Sequence, residues 1–205
     1  MNHFRNAALA SAMFLTACAN LVVTERPLFS AADAIGAVKF RPGIWDSSTQ
    51  QPPADCVYDG AKPESTWPAC ASPSAPIGEA PPWLAVSGDP DIMQFPAALK
   101  PNSGPGAFSY MAFRVVKSDA DGRAIGAELW PVVCGPPPAK ADESGLTRQL
   151  SPGLKPSKDS KNCTTNSKTA LRRAARASRA WASDMAAIHW VRDAIPGDLP
   201  PETDP

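Results

Sequence analysis

The chain has 205 residues, and its 20 basic and 20 acidic side chains give a formal net charge of zero. Without excess positive charge there is no general field to attract nucleic acid, so we expect no nucleic-acid partner. The 24 prolines are about twice ordinary usage, which predicts long irregular connections around a modest ordered centre.

The opening of the chain has the pattern of a secretory signal. One positive charge at Arg5 precedes an uncharged run, AALASAMFLTA, from Ala7 to Ala17. This run is about half the roughly 20 apolar residues that a membrane-spanning helix requires, and it suits the core of a signal peptide. A buried strand is the alternative, but it does not explain the charge before the run or the small residues at its end. We therefore expect residues 1–17 to be a signal peptide.

The run ends at Leu15-Thr16-Ala17-Cys18, which resembles the lipobox of bacterial lipoproteins: a leucine, two small residues and a cysteine. The resemblance covers only the signal region. It implies that Cys18 carries a diacylglyceryl group on its thiol, that cleavage occurs before Cys18, and that the new amino group is acylated by a fatty acid such as palmitate. A membrane is thus the implied partner. Ala19 is not the aspartate that retains lipoproteins in the inner membrane, which implies the outer membrane, facing the periplasm.

Short blocks elsewhere, PLFSAAD, RPGIW, WPACA and VVCGPP, are similar to blocks of uncharacterised envelope lipoproteins of proteobacteria, and they imply no activity. We expect a lipidated tether over residues 18–37, a single disulfide-bridged domain over residues 38–195 and a disordered tail over residues 196–205. Within the tether, the segment Ser30–Asp33 is expected to cap a brief helical turn.

Four cysteines remain once Cys18 is assigned to the lipid: Cys56, Cys70, Cys134 and Cys163. Four thiols in an oxidising periplasm can form two disulfides, in any of three pairings. We favour the sequential pairing, Cys56–Cys70 and Cys134–Cys163, because it closes the shortest loops. A zinc site is the alternative, but the four residues lie far apart and include no C-x-x-C pair.

The middle of the chain predicts short antiparallel strands. VKFRPGIW indicates a strand, a Pro42–Gly43 turn and a second strand ending at Trp45. Residues 46–82 are expected to form a proline-rich, disulfide-bridged loop region. WLAVSGDPDIMQF predicts two strands about a Gly88–Pro90 turn.

The clearest local signal is a hairpin. AFSYMAFRVVK is rich in aromatic and β-branched residues, the turn SDADGR contains Asp121-Gly122, and AIGAELWPVVC returns. Pro131 cannot donate a hydrogen bond to a neighbouring strand, so the return strand is expected to be an edge strand or to be bulged there.

One amphipathic helix is predicted from Ser167 to Ile188. Its apolar residues recur at spacings of three and four, and they are Leu171, Ala174, Ser178, Trp181, Met185 and Ile188. The predicted fold class is α+β: a small antiparallel sheet with this C-terminal amphipathic helix packed on one face. A small sandwich is the alternative.

The opposite side of the helix is basic. Four cations, Lys168, Arg172, Arg176 and Arg179, are candidates for contact with anionic lipid headgroups or cell-wall polymer. The alternative is an ordinary solvated helix face.

Tryptophans provide a second candidate site. Trp67, Trp83 and Trp130 each lie beside a proline, and exposed rings of this kind could bind a sugar or a peptide. Buried rings would instead supply core packing, because aromatic side chains carry large apolar area.

Catalytic groups are scarce. His189 is the one histidine after the signal, and a half-buried structural role beside Trp190 is the simpler interpretation. The aspartate pairs Asp89/Asp91 and Asp119/Asp121 lie in predicted turns, where aspartate binds the local backbone. We therefore expect no enzyme activity, no metal and no cofactor.

These observations predict a lipid-anchored envelope protein with a non-enzymatic structural or interaction role. A glycan-, peptide- or small-ligand-binding module that uses exposed tryptophans is the alternative. A hydrolase is a third interpretation, and it requires two carboxylates that converge in a pocket.

Overall fold

The structure is a computed structural model, and it describes residues 20–47, 59, 61–63, 66–68, 74–96, 107–137, 149–158, 161–181 and 185–198. The predictions for the signal peptide, Cys18, Cys56, Cys70 and residues 199–205 lie outside these residues. The described strands are β1 (Val23–Thr24), β2 (Gly43–Asp46), β3 (Ser74–Ile77), β4 (Leu84–Val86), β5 (Asp91–Pro96), β6 (Phe108–Ser118), β7 (Ala124–Pro131), β8 (Lys155–Pro156), β9 (Cys163–Thr164) and β10 (Ala186–Arg192). The helices are a 3-10 helix, Ala31–Ala34, and α1, Lys168–Ser178.

Most of the strands form one antiparallel sheet in the order β3-β2-β10-β7-β6-β5-β4, and β1 pairs with the start of β6. β8 and β9 form a separate two-stranded sheet. The mixed α+β class is therefore confirmed. The sheet is larger than predicted, and α1 is not the last element, because β10 follows it and inserts between β2 and β7.

The β6–β7 hairpin is confirmed and forms the centre of the sheet. In its turn, the Asp119 carboxylate accepts hydrogen bonds from the backbone N–H groups of Asp121 and Arg123, and Gly122 has a φ of 77°. The prediction from Pro131 that β7 is an edge strand or is bulged at that residue is wrong, because β7 lies between β10 and β6 and its register with β6 is regular at Pro131. Pro131 is instead its last residue, two positions beyond Leu129, the last residue paired with β10, so no hydrogen bond with β10 is lost.

The predicted helix begins where expected but ends ten residues early, at Ser178 rather than Ile188. The Ser167 side chain caps its start by accepting a hydrogen bond from the Ala170 N–H at 3.2 Å. Residues Ala186–Arg192 form strand β10, in which Ile188 points to the core while its neighbours are exposed. The alternating burial shows a period of two, which a helical spacing of three and four had masked.

Two hydrophobic clusters cover the two faces of the sheet. The first lies between α1 and one face, and its large members are Val22, Phe29, Ile92, Tyr110, Trp130, Val132 and Leu171. The second lies on the other face, and its large members are Phe40, Trp45, Ile77, Met93, Met111, Phe113, Leu129 and Ile188. The second cluster includes side chains from β3 and from the far strand β4, so the sheet curls toward a half-barrel.

The predicted β4–β5 hairpin is confirmed about residues 87–90. Two other strand predictions need correction. The strand predicted before Pro42, however, is a single bridge between Phe40 and Ala124, and the strand after it runs one residue beyond Trp45. β3 lies inside the region predicted to be loop, because its pairing with β2 depends on a distant segment rather than on local pattern.

The predicted tether is also incorrect for most of its length. From Asn20 onward the chain is hydrogen-bonded into the fold, and Val22 and Phe29 are buried. The 3-10 helix carries the predicted cap, with a reciprocal capping box between Ser30 and Asp33. At the other end, Asp198 is buried, so the fold extends beyond the predicted boundary at residue 195.

Neither helix in the described part of the chain combines the length and the apolar character needed to cross a bilayer.

Candidate functional site

A cavity of about 210 Å³ opens at the end of the second cluster, between the two edges of the curled sheet. Its apolar wall is formed by Phe40, Ile77, Trp83 and Ala85. Three charged side chains lie at its mouth: Lys39, Glu79 and Arg123. The cavity therefore combines an apolar interior with a polar mouth, which is the usual composition of a small-ligand site.

The wall is held by aromatic packing. The Phe40 ring lies 5.4 Å from the rings of both Trp45 and Phe113, and Trp83 lies 5.7 Å from Phe95. These tilted contacts have the separations that aromatic pairs prefer. The sheet positions Phe40 through its bridge to Ala124, so the wall is fixed by the same hairpin that forms the centre of the sheet.

The charges at the mouth are accessible to solvent. The Arg123 guanidinium lies 3.7 Å from the Glu79 carboxylate, and their side chains are 40% and 79% exposed. An exposed pair of this kind is weak, so a ligand could separate it at little cost. Lys39 is exposed beside them, which gives the mouth one excess positive charge among these three residues.

The three candidate tryptophans do not form a common platform. Trp83 lines the cavity. Trp130 is 2% exposed, and its Nε1–H donates a hydrogen bond to the Ala175 carbonyl at 2.9 Å, so it is a core residue. Trp67 is partly buried beneath the guanidinium of Arg192, 5.5 Å from the ring centroid.

The basic face of α1 contacts the protein itself. Arg172 donates hydrogen bonds to the carbonyl oxygens of Ser87 (2.7 Å) and Pro90 (3.3 Å), and Arg176 donates one to Asp89 at 3.0 Å. A Cβ atom at residue 88 would overlap the Arg172 guanidinium, so any side chain there would require this group to move from its hydrogen-bonded position. Two of the four candidate cations thus attach the β4–β5 turn to the helix.

The remaining two cations contact carboxylates. Lys168 binds Asp33 of the 3-10 helix, and this hydrogen bond, with those from Ser30, lowers the pKa of the Asp33 carboxyl to about 2. Arg179 lies 3.3 Å from the Glu128 carboxylate on β7. The periodicity predicted the basic face correctly, but these intramolecular partners argue against a surface reserved for lipid headgroups.

The candidate catalytic residues do not converge. Asp119 and Asp121 lie in the β6–β7 turn, and Asp91 accepts a hydrogen bond from the Gly88 N–H at 2.8 Å, while burial raises the pKa of its carboxyl. His189 was predicted to be half-buried at a helix end. It lies instead on strand β10 with 57% of its side chain exposed, 3.9 Å from the Asp46 carboxylate.

No cluster of three or more potential metal ligands occurs among the described residues. The cavity lining in that part of the chain contains one carboxylate, Glu79, and no histidine, cysteine or hydroxyl side chain. Its chemistry suits binding of an apolar ring or side chain with polar contacts at the mouth. Burial raises the pKa of the Tyr110 hydroxyl, which is bonded to Thr24 in the opposite cluster, away from this cavity.

The chain near Asn20 lies at the opposite end of the sheet, which we call the anchor end: residues 20–22 between residues 132–134 and residues 161–163. The Asn20 N–H donates to the Lys161 carbonyl at 2.7 Å, and the Cys134 N–H donates to the Asn20 carbonyl at 2.7 Å. Cys134 and Cys163 form a disulfide with a Cα–Cα distance of 5.7 Å, consistent with the sequential pairing. The disulfide therefore joins the two segments that hold the start of the described chain.

Sequence reasoning identifies Trp83 but misses Phe40, Glu79 and Arg123, because they come from separate segments that only the curled sheet brings together. No local pattern signals them. No family model, curated protein or solved structure matches the chain.

Proposed function

We propose that the protein is a lipid-anchored protein of the cell envelope with a non-enzymatic structural or interaction role. The observation that carries this proposal is the sequence Leu15-Thr16-Ala17-Cys18 at the end of a short apolar run. Acylation of Cys18 would hold the domain in the outer membrane, facing the periplasm. Three acyl chains make such an anchor stable, because each buried CH₂ contributes about 0.8 kcal/mol and one chain alone binds only reversibly.

Two structural observations support the proposal. The disulfide between Cys134 and Cys163 is characteristic of an oxidising compartment such as the periplasm. The Asp91 and Asp119 carboxylates bind turn backbone, and the described cavity lining contains one carboxylate, so a carboxylate-based hydrolase has little support from their positions.

Metabolic labelling tests the anchor directly. We expect cells given an alkyne analogue of palmitate to label the wild-type protein and not the Cys18→Ala variant. Replacement of Cys70 by alanine is the matched control, because it removes a cysteine that the proposal does not assign to lipid. Equal labelling of the wild type and Cys18→Ala, or no label on either, would contradict the proposal.

A small-ligand-binding role is the second candidate, and the cavity beside Trp83 is the observation that favours it. At about 210 Å³ the cavity is smaller than the roughly 300–1,000 Å³ of sites that enclose a whole drug-sized ligand. It would accept one sugar ring or one amino-acid side chain, with the rest of the ligand at the charged mouth.

Fluorescence titration with soluble peptidoglycan fragments tests this second role. If the cavity binds them, we expect a saturable change in tryptophan emission that Trp83→Phe removes. The Trp67→Phe variant serves as the control, because Trp67 lies outside the cavity lining, and it should keep the response. A response that survives Trp83→Phe would assign binding to another site, and a flat titration would remove this candidate.

A further inference from the structure

We propose that the protein rests on the phospholipid surface through its anchor end and presents the cavity at the opposite end to the aqueous space. This inference rests on the proposed function, because it takes Cys18 as the point of attachment. It goes beyond that function by assigning the surface that meets the lipid headgroups and the direction in which the cavity opens.

The connection between the lipid-bearing residue, Cys18, and the folded domain is short. Only Ala19 separates Cys18 from Asn20, and Asn20 is already hydrogen-bonded to Lys161 and Cys134. Two residue steps span no more than about 7 Å, even when fully extended. The headgroup layer on each side of a bilayer is about 5–7 Å thick. The connection is therefore just long enough to cross the headgroups, and the anchor end must lie at their surface.

Residues 20–22 of the anchor end are held to the fold by hydrogen bonds and by burial. Leu21 donates a backbone hydrogen bond to the Asn162 side chain at 3.1 Å and accepts one from the Cys163 N–H at 3.1 Å. Val22 is fully buried, and its N–H donates to Val132 at 2.9 Å. Because the disulfide ties the flanking segments together, release of residues 20–22 would require local unfolding of this whole end.

The surface that meets the headgroups includes the β8–β9 turn and its lysines. The turn between β8 and β9 contains Lys161, whose carbonyl binds Asn20, and the sequence from residue 155 to residue 161 is KPSKDSK. Lys155 and Lys158 are exposed, and Lys158 lies 2.6 Å from Glu25. Among the described residues of this surface, the three lysines outnumber the carboxylate beside them, Glu25, so the surface is positively charged. Each lysine near an anionic membrane contributes about 1 kcal/mol, so charge assists the contact that the short connection imposes.

The cavity lies at the opposite end of β7 from the anchor end. The anchor end lies beyond the C-terminal end of β7, where Leu21 bridges Val133, and the cavity lies at its N-terminal end, beside Arg123. β7 contains 8 residues, which at about 3.3 Å per residue separates the two ends by about 26 Å. A domain that stands on its anchor end therefore holds the cavity mouth away from the bilayer.

Lysine footprinting of the acylated full-length protein tests the orientation. The protein is placed in vesicles of phosphatidylethanolamine and phosphatidylglycerol and treated with a membrane-impermeant acetylating reagent. Labelling is compared, lysine by lysine, with that of non-acylated Cys18→Ala mixed with the same vesicles. We expect several-fold protection of Lys155, Lys158 and Lys161, and none of Lys39 and Lys117, which are exposed toward the cavity end.

A linker variant provides the matched control. Insertion of twelve glycine and serine residues between Ala19 and Asn20 leaves the described fold unchanged and should abolish the protection, because a flexible linker of this length reaches about 20 Å. Intact mass is measured on each sample. An acylated protein with equally reactive lysines would overturn the orientation and leave the anchor standing, whereas a wild-type mass without acyl chains would overturn the anchor itself.

Discussion

Replacement of both Cys134 and Cys163 by alanine is expected to lower the free energy of unfolding by about 3 to 4 kcal/mol. The bridge closes a segment with a sequence separation of 29, and a loop of that length gives about 3.6 kcal/mol by the chain-entropy estimate. Both cysteines are fully buried, so the native structure also loses packing. Chemical unfolding under non-reducing conditions, followed by tryptophan fluorescence, measures the change.

Wild-type protein in reductant supplies the control for this prediction. Its unfolding midpoint should fall at least as far as that of the double variant, because reductant breaks this crosslink and also the predicted Cys56–Cys70 disulfide. The double variant should also show faster hydrogen exchange at Leu21 and Val22 than in the β6–β7 hairpin, since the disulfide joins the segments on either side of them. An unfolding free energy within about 1 kcal/mol of wild type would contradict the structural role assigned to this bridge.

The Asp198→Ala substitution is expected to lower the free energy of unfolding by about 3 to 5 kcal/mol, the range measured when one partner of a buried ion pair is removed. The Asp198 side chain is fully buried and accepts two hydrogen bonds from the Arg192 guanidinium, at 2.6 and 3.1 Å. It also accepts the Ile195 N–H at 2.8 Å. Its loss leaves the largely buried Arg192 charge without its carboxylate.

The chain offers a close control for this substitution. Asp193 pairs with Arg41 at 3.2 Å, but its side chain is 74% exposed, so Asp193→Ala should cost less than about 1 kcal/mol. Adding Arg192→Met to Asp198→Ala should recover part of the lost stability, because it removes the unpaired charge. Equal effects of Asp193→Ala and Asp198→Ala in thermal or denaturant unfolding would show that burial does not decide the strength of this pair.

Local chemistry predicted several elements of this fold. The Asp121-Gly122 turn produced the central hairpin, the residues around Gly88 produced the β4–β5 turn, and the helix began at Ser167 as expected. In each case the deciding residues are neighbours in sequence. Turn and cap preferences act over a few residues, so they can be recognised without knowledge of the rest of the molecule.

Long-range pairing accounts for what the sequence did not reveal. β3 and β10 are strands because each pairs with β2, and no local pattern identifies that partner. The cations of α1 were recognised as one face, but the acceptors of Arg172 and Arg176 lie some 80 residues away in the β4–β5 turn. The cavity likewise depends on the curl of the sheet, so a ring such as Phe40 carried no sign of its position.

The outer strands of the main sheet affect how molecules behave when they are crowded together. β3 contains Pro76, which has no N–H to offer a further strand, and β4 is only 3 residues long, Leu84–Val86. Neither strand is a good template for edge-to-edge association. Under the proposed lipid anchor, molecules of this protein would meet at high local concentration in the membrane plane, and these two outer strands would allow them to collide without aggregating.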